Sequence, residues 1–292
     1  MLLSNSLIPR VAVCGDVMLD YWLNVGDRQA GDEKRTVISS QRTLGGTASN
    51  AAIVLAQLGA EVDVYTTLPF GALGDQLVGQ LEELKIGIQH IYRTEGALPQ
   101  ATIIRSEKNR EVFVDRGVTD EPITDFLMNM IPYDLIYVTN PQTYLSDIPK
   151  RNNQRIVVNL EHQMVNWFNN LPISRETIDV LLVNEAAFVL LDESNHTSFS
   201  IVETQGSQGA RIHQRSGSKD ISAMQVDMVD ETGAGDTFAA TLCFFLLKGI
   251  EIEQACEAAT VAAGLCVSRL GTFNPDLSEQ LLLDQLLERK SR

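Results

Sequence analysis

The stretch that most restricts this chain is Asp230-Glu231-Thr232-Gly233-Ala234-Gly235-Asp236-Thr237, followed at once by an apolar run over 238–247 and then by Gly249. The run predicts a helix with Asp236 and Thr237 in its first turn and Gly249 in the left-handed position past its end. The amides of Gly233, Ala234 and Gly235 then stand at the positive end of that helix, with no bulky side chain to keep an anion away. A dipole worth roughly half a charge acts there, so Asp236 is expected to stay ionised at neutral pH. An ionised carboxylate beside such a cradle can take a proton from an attacking hydroxyl, as phosphoryl transfer to an alcohol requires. The plainer alternative is a glycine turn capped by Asp236. Glycine pairs alone favour the turn; the density of the string and the long apolar helix behind it favour the chemistry.

The rest of the chain supplies a frame. A buried strand reads at 11–14, ending at Gly15-Asp16, and further strands read at 61–67, 135–138, 156–159, 180–183 and 200–204. Helical stretches read at 47–58, at 74–85 and between several of the later strands. This alternation predicts a parallel sheet with helices on both faces. With 292 residues and 44% hydrophobic content, the chain can bury a full core. No repeat, low-complexity tract or linker divides it, so residues 1–292 are expected to form a single α/β domain. Segments 17–44 and 98–117 lose the regular pattern and carry short polar strands. They read as insertions that pair into a small separate sheet.

The net charge of −15 argues against a nucleic-acid partner. The two insertions depart from it. They hold Arg28, Lys34, Arg35, Arg42, Arg105, Lys108, Arg110 and Arg116 against seven acids, a net +1 that leaves −16 elsewhere. Such a flap would help to hold an anionic substrate or a nucleotide phosphate. Edge strands guarded by Lys and Arg against aggregation explain it equally well. Cys14, Cys243, Cys256 and Cys266 show no C-x-x-C spacing, and three fall in apolar helical stretches. They read as buried free thiols, which fits a cytoplasmic chain. The first ten residues do not read as a signal peptide, and no apolar run is long enough for a membrane crossing. Neither G-x-x-x-x-G-K-[ST] nor G-x-G-x-x-G is present.

Two pieces point to a ligand with hydroxyl groups. Asp16 follows the first strand at its carboxyl end, where open α/β sheets place ligands. It can accept two hydroxyl hydrogen bonds, or simply form a turn. Gly45-Gly46-Thr47-Ala48-Ser49-Asn50 lets the backbone approach a ligand, and Asn50 offers a donor and an acceptor. A loop capping a helix through Thr47 or Ser49 is the plainer alternative.

Together these strings resemble the two signatures of the ribokinase-like (PfkB) family of carbohydrate kinases, G-G-x-x-x-N-x-A and D-x-T-G-A-G-D-T. The resemblance implies a three-layer α/β/α fold with a mostly parallel central sheet and a small β lid. The two insertions would form that lid, which often makes a homodimer clasp. It implies an ATP- and Mg²⁺-dependent kinase acting on a hydroxyl of a sugar or sugar phosphate. Asp236 would be the general base, Gly233, Ala234 and Gly235 the anion hole, and Asp16, Gly45, Gly46 and Asn50 the substrate residues. The segment from Gly15 to Trp22 is similar to the start of bacterial heptose-7-phosphate kinases, which makes Asp20 a second hydroxyl ligand.

On the nucleotide side, Thr204, Gly206 and Gly209 resemble the family's T-x-G-x-x-G loop, although strand, turn, strand is the reading from the residues alone. The resemblance puts Asn274 in the adenine pocket. Asn184 begins the family's N-x-x-E motif for magnesium and phosphate, but Ala187 stands at the Glu position, with Glu185 nearby as a substitute. Asn159 stands where many members have Asp, and Pro69 and Phe70 replace a usual Gly and Asp. Asp230 and Thr232 lie where some members hold a monovalent cation; a hydrogen-bonded turn is the preferred reading there. Two rivals stay open. One is a nucleoside kinase using Tyr21 and Trp22 for the base. The other is a non-catalytic sugar-binding or regulatory protein, motivated by Ala187 and Pro69.

Overall fold

The computed structural model describes residues 8–27, 34–107, 109–118, 133–139, 148, 150, 151, 153–171, 177–192 and 199–290. In chain order, β1 (Arg10–Cys14), β2 (Met18–Val25) and β3 (Val37–Gly45) lead to α1 (Thr47–Gln57). β4 (Glu61–Pro69), α2 (Ala72–Glu83), β5 (Ile91–Thr94), β6 (Gln100–Arg105) and β7 (Arg110–Asp115) follow. Then come β8 (Leu135–Thr139), β9 (Arg155–Leu160), α3 (Val165–Asn169), β10 (Val180–Asn184) and α4 (Glu185–Phe188). The last part holds β11 (Ser200–Thr204), β12 (Gly209–Gln214), β13 (Gly217–Ser222), α5 (Ala234–Leu247), α6 (Ile252–Val267) and α7 (Glu279–Lys290).

Nine strands form the central sheet in the order β13-β12-β11-β10-β9-β8-β1-β4-β5. Every neighbouring pair is parallel except β11 with β12 and β12 with β13. β1 shows why its sequence is a plain apolar run. Val11 and Val13 enter the core on one face, while Ala12 and Cys14 enter the core on the other. Alternate residues of a strand point to opposite faces, so a strand covered on both sides has no polar face to show. Helices α1, α5 and α6 cover the first face, and Val165 and Phe168 of α3 lie on the second. α5 is buried continuously from Thr237 to Leu246, as a helix apolar all round must be.

The chain leaves β1 towards β4 on one side and towards β8 on the other, so the strand order reverses at β1. A crevice opens at the carboxyl ends of strands at such a point.

Segments 17–44 and 98–117 supply a second sheet, ordered β3-β2-β6-β7; Arg28 and Lys108 lie outside the described residues. β2 and β6 pair in parallel and the outer strands antiparallel. Val37, Ile38, Val112, Phe113 and Val114 of the outer strands are exposed.

The helices expected at 47–58 and 74–85 run over 47–57 and 72–83. β13 has no mark in the sequence, because its mostly exposed residues give no apolar alternation. Of the helices expected between later strands, only the short α3 and α4 fall among the described residues. All four cysteines are buried and free. Among the described residues no helix is long and apolar enough to cross a membrane.

Candidate active site

Two helix N-termini converge at the crevice. Asn50 lies in the first turn of α1 and Asp236 in the first turn of α5. Asn50 Nδ2 donates to Asp236 Oδ2 at 2.8 Å. Asn50 is only 6% exposed, and its buried Oδ1 meets no donor among the described residues. An orphaned buried acceptor costs free energy unless a ligand or water meets it.

Asp236 itself is half-buried, and its carboxyl is pushed up to about 7. Loss of hydration is the main cause; the carboxylates of Glu161 and Asp20 add to it, and the Asn50 hydrogen bond opposes it. The expectation of a fully ionised Asp236 at neutral pH is thereby corrected. Burial and two neighbouring carboxylates outweigh the helix end. A group poised near neutrality is the kind that accepts a proton during turnover.

The loop before α5 forms a nest of amides. Gly233 is left-handed with φ 77°, and a Cβ there would stand 1.9 Å from the carbonyl oxygen of Thr272. Only glycine fits that position. Nothing lies within 4 Å of where a Cβ on Gly235 would be, so that residue opens outward. Ala234 N reaches only a weak internal acceptor, the Glu231 carbonyl at 3.3 Å. Ala234 and Gly235 line one end of a cavity of about 300 Å³, which Thr204, Gly206 and Gly209 line as well. Met224, Val226, Met228, Ala263 and Val267 give it apolar walls. An apolar slot ending on helix-terminal amides suits a flat ring system with phosphates attached.

Asp16, Asp20, Gly45 and Gly46 gather on the other side of Asn50. Asp20 is 7% exposed, and burial pushes its carboxyl up to about 6, with Arg110 opposing. Gly45 is glycine because of Asp20: a Cβ would lie 2.1 Å from the Asp20 Cγ. A Cβ on Gly46 would lie 2.4 Å from the Asp16 carbonyl oxygen and 2.9 Å from Met18 N. Gly46 is also the residue before α1, and no side chain caps that helix. Ser49 donates instead to the carbonyls of Gly45 and Gly46. Two arginines of the second sheet and one just after it meet acids of the site: Arg110 with Glu231 at 3.5 Å, Arg105 with Asp230 at 3.7 Å and Arg116 with Asp16 at 3.6 Å.

Residues 9–279 match the pfkB family carbohydrate kinases. The chain belongs to the PfkB family. The ribokinase of Bacillus subtilis is 27% identical over 283 residues, covering 89% of this chain and 94% of its own. The bifunctional protein HldE of Methylobacillus flagellatus is 26% identical over 302 residues, covering 90% of this chain. The chain spans only 60% of that relative's length. The nucleoside kinase of Burkholderia thailandensis, solved with inosine, shares the fold with a TM-score of 0.78. It covers 96% of this chain and 97% of its own at 19% identity.

Several residues that the PfkB resemblance assigned to the nucleotide are occupied otherwise. Asn184 Oδ1 accepts from Ala187 N at 2.8 Å and so caps α4. Glu185 is exposed, whereas Ala187 is fully buried in the core. Asn274 is buried and is not among the residues that line the cavity. Its Oδ1 accepts from Arg269 and, at 3.0 Å, from Asp276 N, which makes it a loop-closing residue. Asp230 Oδ1 accepts from Thr232 N at 3.1 Å and Thr232 Oγ1 at 2.7 Å, the preferred hydrogen-bonded turn. Among the described residues no group of three or more His, Cys, Asp or Glu side chains could hold a metal ion. No motif in the sequence marks Glu161 or Tyr137, which is buried and feels the charges of Asp236 and Glu161. Their only signal was position near the ends of β8 and β9.

Proposed function

We propose that this PfkB chain transfers the γ-phosphoryl group of ATP to a hydroxyl of a sugar or sugar phosphate. The observation that carries the reading is Asp236, held by Asn50 at the start of α5 and one residue from the open Gly235 amide. The acceptor would lie over Asp16, Asp20, Gly45 and Gly46, with a hydroxyl donating to Asn50 Oδ1. Asp236 would take the proton from the attacking oxygen. The amides of Gly233, Ala234 and Gly235 would bind the transferred phosphoryl oxygens, where charge develops. The nucleotide would fill the 300 Å³ cavity, over Thr204, Gly206 and Gly209.

Magnesium would arrive on the nucleotide's phosphates, since Mg²⁺ usually keeps its waters and needs only one or two carboxylates. Exposed Glu185 would hold it through water, and the charge neutralisation it would supply is what triphosphate transfer requires.

The second sheet would act as a lid that excludes water from the reaction. Its exposed outer strands, with Ile38 and Phe113, offer an apolar face for a homodimer clasp. Buried free thiols accord with a cytoplasmic setting. The nucleoside rival gains nothing from its aromatic pair: Arg42 already stacks on Tyr21 at 5.0 Å, and Trp22 Nε1 donates to Thr43 at 3.1 Å.

The test is an ADP-release assay over free sugars, sugar phosphates and nucleosides, with Asp236→Asn as control. Turnover with a sugar or sugar phosphate that vanishes in the variant supports the reading. Saturable binding without turnover of any acceptor would favour the sugar-binding rival.

A further inference from the structure

Asp230 is a buried carboxylate three residues before the nest, and its side chain is 7% exposed. A bare negative charge there would repel the phosphoryl oxygens that the nest is built to hold, and burying it alone would be costly. Something must neutralise it. A bound monovalent cation would need oxygen lone pairs converging on one point, and the donors of this loop are otherwise engaged. Oδ1 is taken by Thr232 N and Oγ1. Oδ2 accepts from Gly271 N at 3.4 Å and faces Arg105 at 3.7 Å. The carbonyls of Thr232 and Thr272 both face the Cys266 thiol. With Arg105 in place, Asp230 therefore leaves no carboxylate oxygen free for the ion that the family resemblance suggested.

Arg105 fits the charge instead. It ends β6, and its register partner across the hairpin is Arg110. Like charges directly opposite on paired strands repel. Here the two guanidinium groups meet two consecutive acids, Asp230 and Glu231. We propose that Arg105, carried on the lid, is a positioning residue that supplies at Asp230 the positive charge a monovalent cation would otherwise supply, so that turnover does not depend on potassium or sodium. This rests on the kinase reading for its consequence, not for its geometry. Closing the lid would then neutralise Asp230 at the moment the acceptor is covered. An anion hole next to a neutral pair binds phosphoryl oxygens better than one next to a lone carboxylate.

Rates with ATP and the best acceptor of the panel are compared in potassium, sodium and tetramethylammonium chloride at equal ionic strength. Wild-type rates agree within about twofold once screening is matched; stimulation by potassium beyond about fivefold overturns the proposal. Arg105→Gln loses roughly tenfold to a hundredfold in kcat/KM and regains part of it in potassium or guanidinium chloride, while Arg105→Lys keeps most of the rate. A wild-type rate in Arg105→Gln overturns the proposal, as does a loss that no cation relieves. In an Asp230→Asn background, adding Arg105→Gln costs nothing more; additive losses overturn it.

Melting midpoints give a readout free of turnover. Potassium in place of tetramethylammonium stabilises Arg105→Gln but not the wild type, and an equal response of the two overturns the proposal. A chain that phosphorylates no acceptor would defeat the kinase reading, yet this last comparison would still decide between ion and arginine.

Discussion

Asn50 Nδ2 and Asp236 Oδ2 lie 2.8 Å apart although 186 residues separate them in the chain. The bond ties the first turn of α1 to the first turn of α5 and stabilises the ionised form of Asp236. Removing the donor must therefore raise the Asp236 pKa above its present value of about 7. The wild-type kcat/KM is expected to fall on the acid side with an apparent pKa near 7, because only the carboxylate accepts a proton. In Asn50→Ala that limb moves to higher pH. The pH–rate profile of the two proteins reads it directly, whatever happens to KM. A limb that stays still or moves down would refute the assignment of Asp236 as the titrating base.

The same raised pKa has a cost in stability. The Asp236 carboxyl moves from an ordinary 3.8 to about 7 on folding, so the folded state holds the proton more tightly. Stability from this group is complete below pH 3.8 and drains away as pH rises towards 7. A neutral amide keeps the shape and escapes the loss. Asp236→Asn is thus expected to melt a few degrees higher than wild type at pH 8, with the gap narrowing steadily towards pH 4. A variant that melts lower at pH 8 would show that burial is not what raises the pKa.

Much of this architecture was legible because its causes are local. The helix over 238–247 announces itself by an unbroken apolar run between Asp236 and Gly249, and β1 by four apolar residues. Gly233 was legible as a glycine, though not the reason: the carbonyl of Thr272 lies 1.9 Å from any Cβ. What was hidden depends on contacts between distant segments. No local pattern marks Glu161 as a neighbour of Asp236, or Arg105 as the partner of Asp230. The partners of Asn274 were hidden for the same reason. The resemblance puts Asn274 near the adenine, and only the fold shows that Arg269 and Asp276 occupy its oxygen. The helix dipole, legible in advance, was overruled at Asp236 by burial and two carboxylates whose proximity only the fold creates.

The two glycines of the nest should separate stability from activity. Gly233→Ala forces an L residue into φ 77° and drives a methyl against the Thr272 carbonyl, at a cost of at least about 2 kcal/mol. Gly235→Ala meets no atom within 4 Å, so its melting midpoint should stay near wild type. Its methyl would nonetheless enter the space from which phosphoryl oxygens approach. A loss of about a hundredfold in kcat/KM is expected there, similar to losing an oxyanion donor. Urea titration and steady-state rates on both variants check the contrast. A Gly235→Ala enzyme with full activity would remove the amides from the transfer step.

Ala187 offers the opposite experiment, restoring a residue the PfkB resemblance expects. The gain would be a second carboxylate close to the nucleotide phosphates. The structure argues that the gain is not available, because Ala187 is fully buried among Val183, Phe188 and Leu191. α4 is only four residues long and is started by Asn184 through the Ala187 amide itself. A glutamate there must bury its charge, stay protonated, or pull that short helix apart. Each course is unfavourable, and a loss of about 3 kcal/mol is expected from burying an unpaired carboxyl. Ala187→Glu should therefore unfold at lower urea than wild type without a lower magnesium requirement. Glu185→Ala should instead leave the urea midpoint unchanged, because Glu185 is exposed, and raise the magnesium concentration for half-maximal rate. If Ala187→Glu proved as stable as wild type and needed less magnesium, the first turn of α4 would have to open towards the nucleotide.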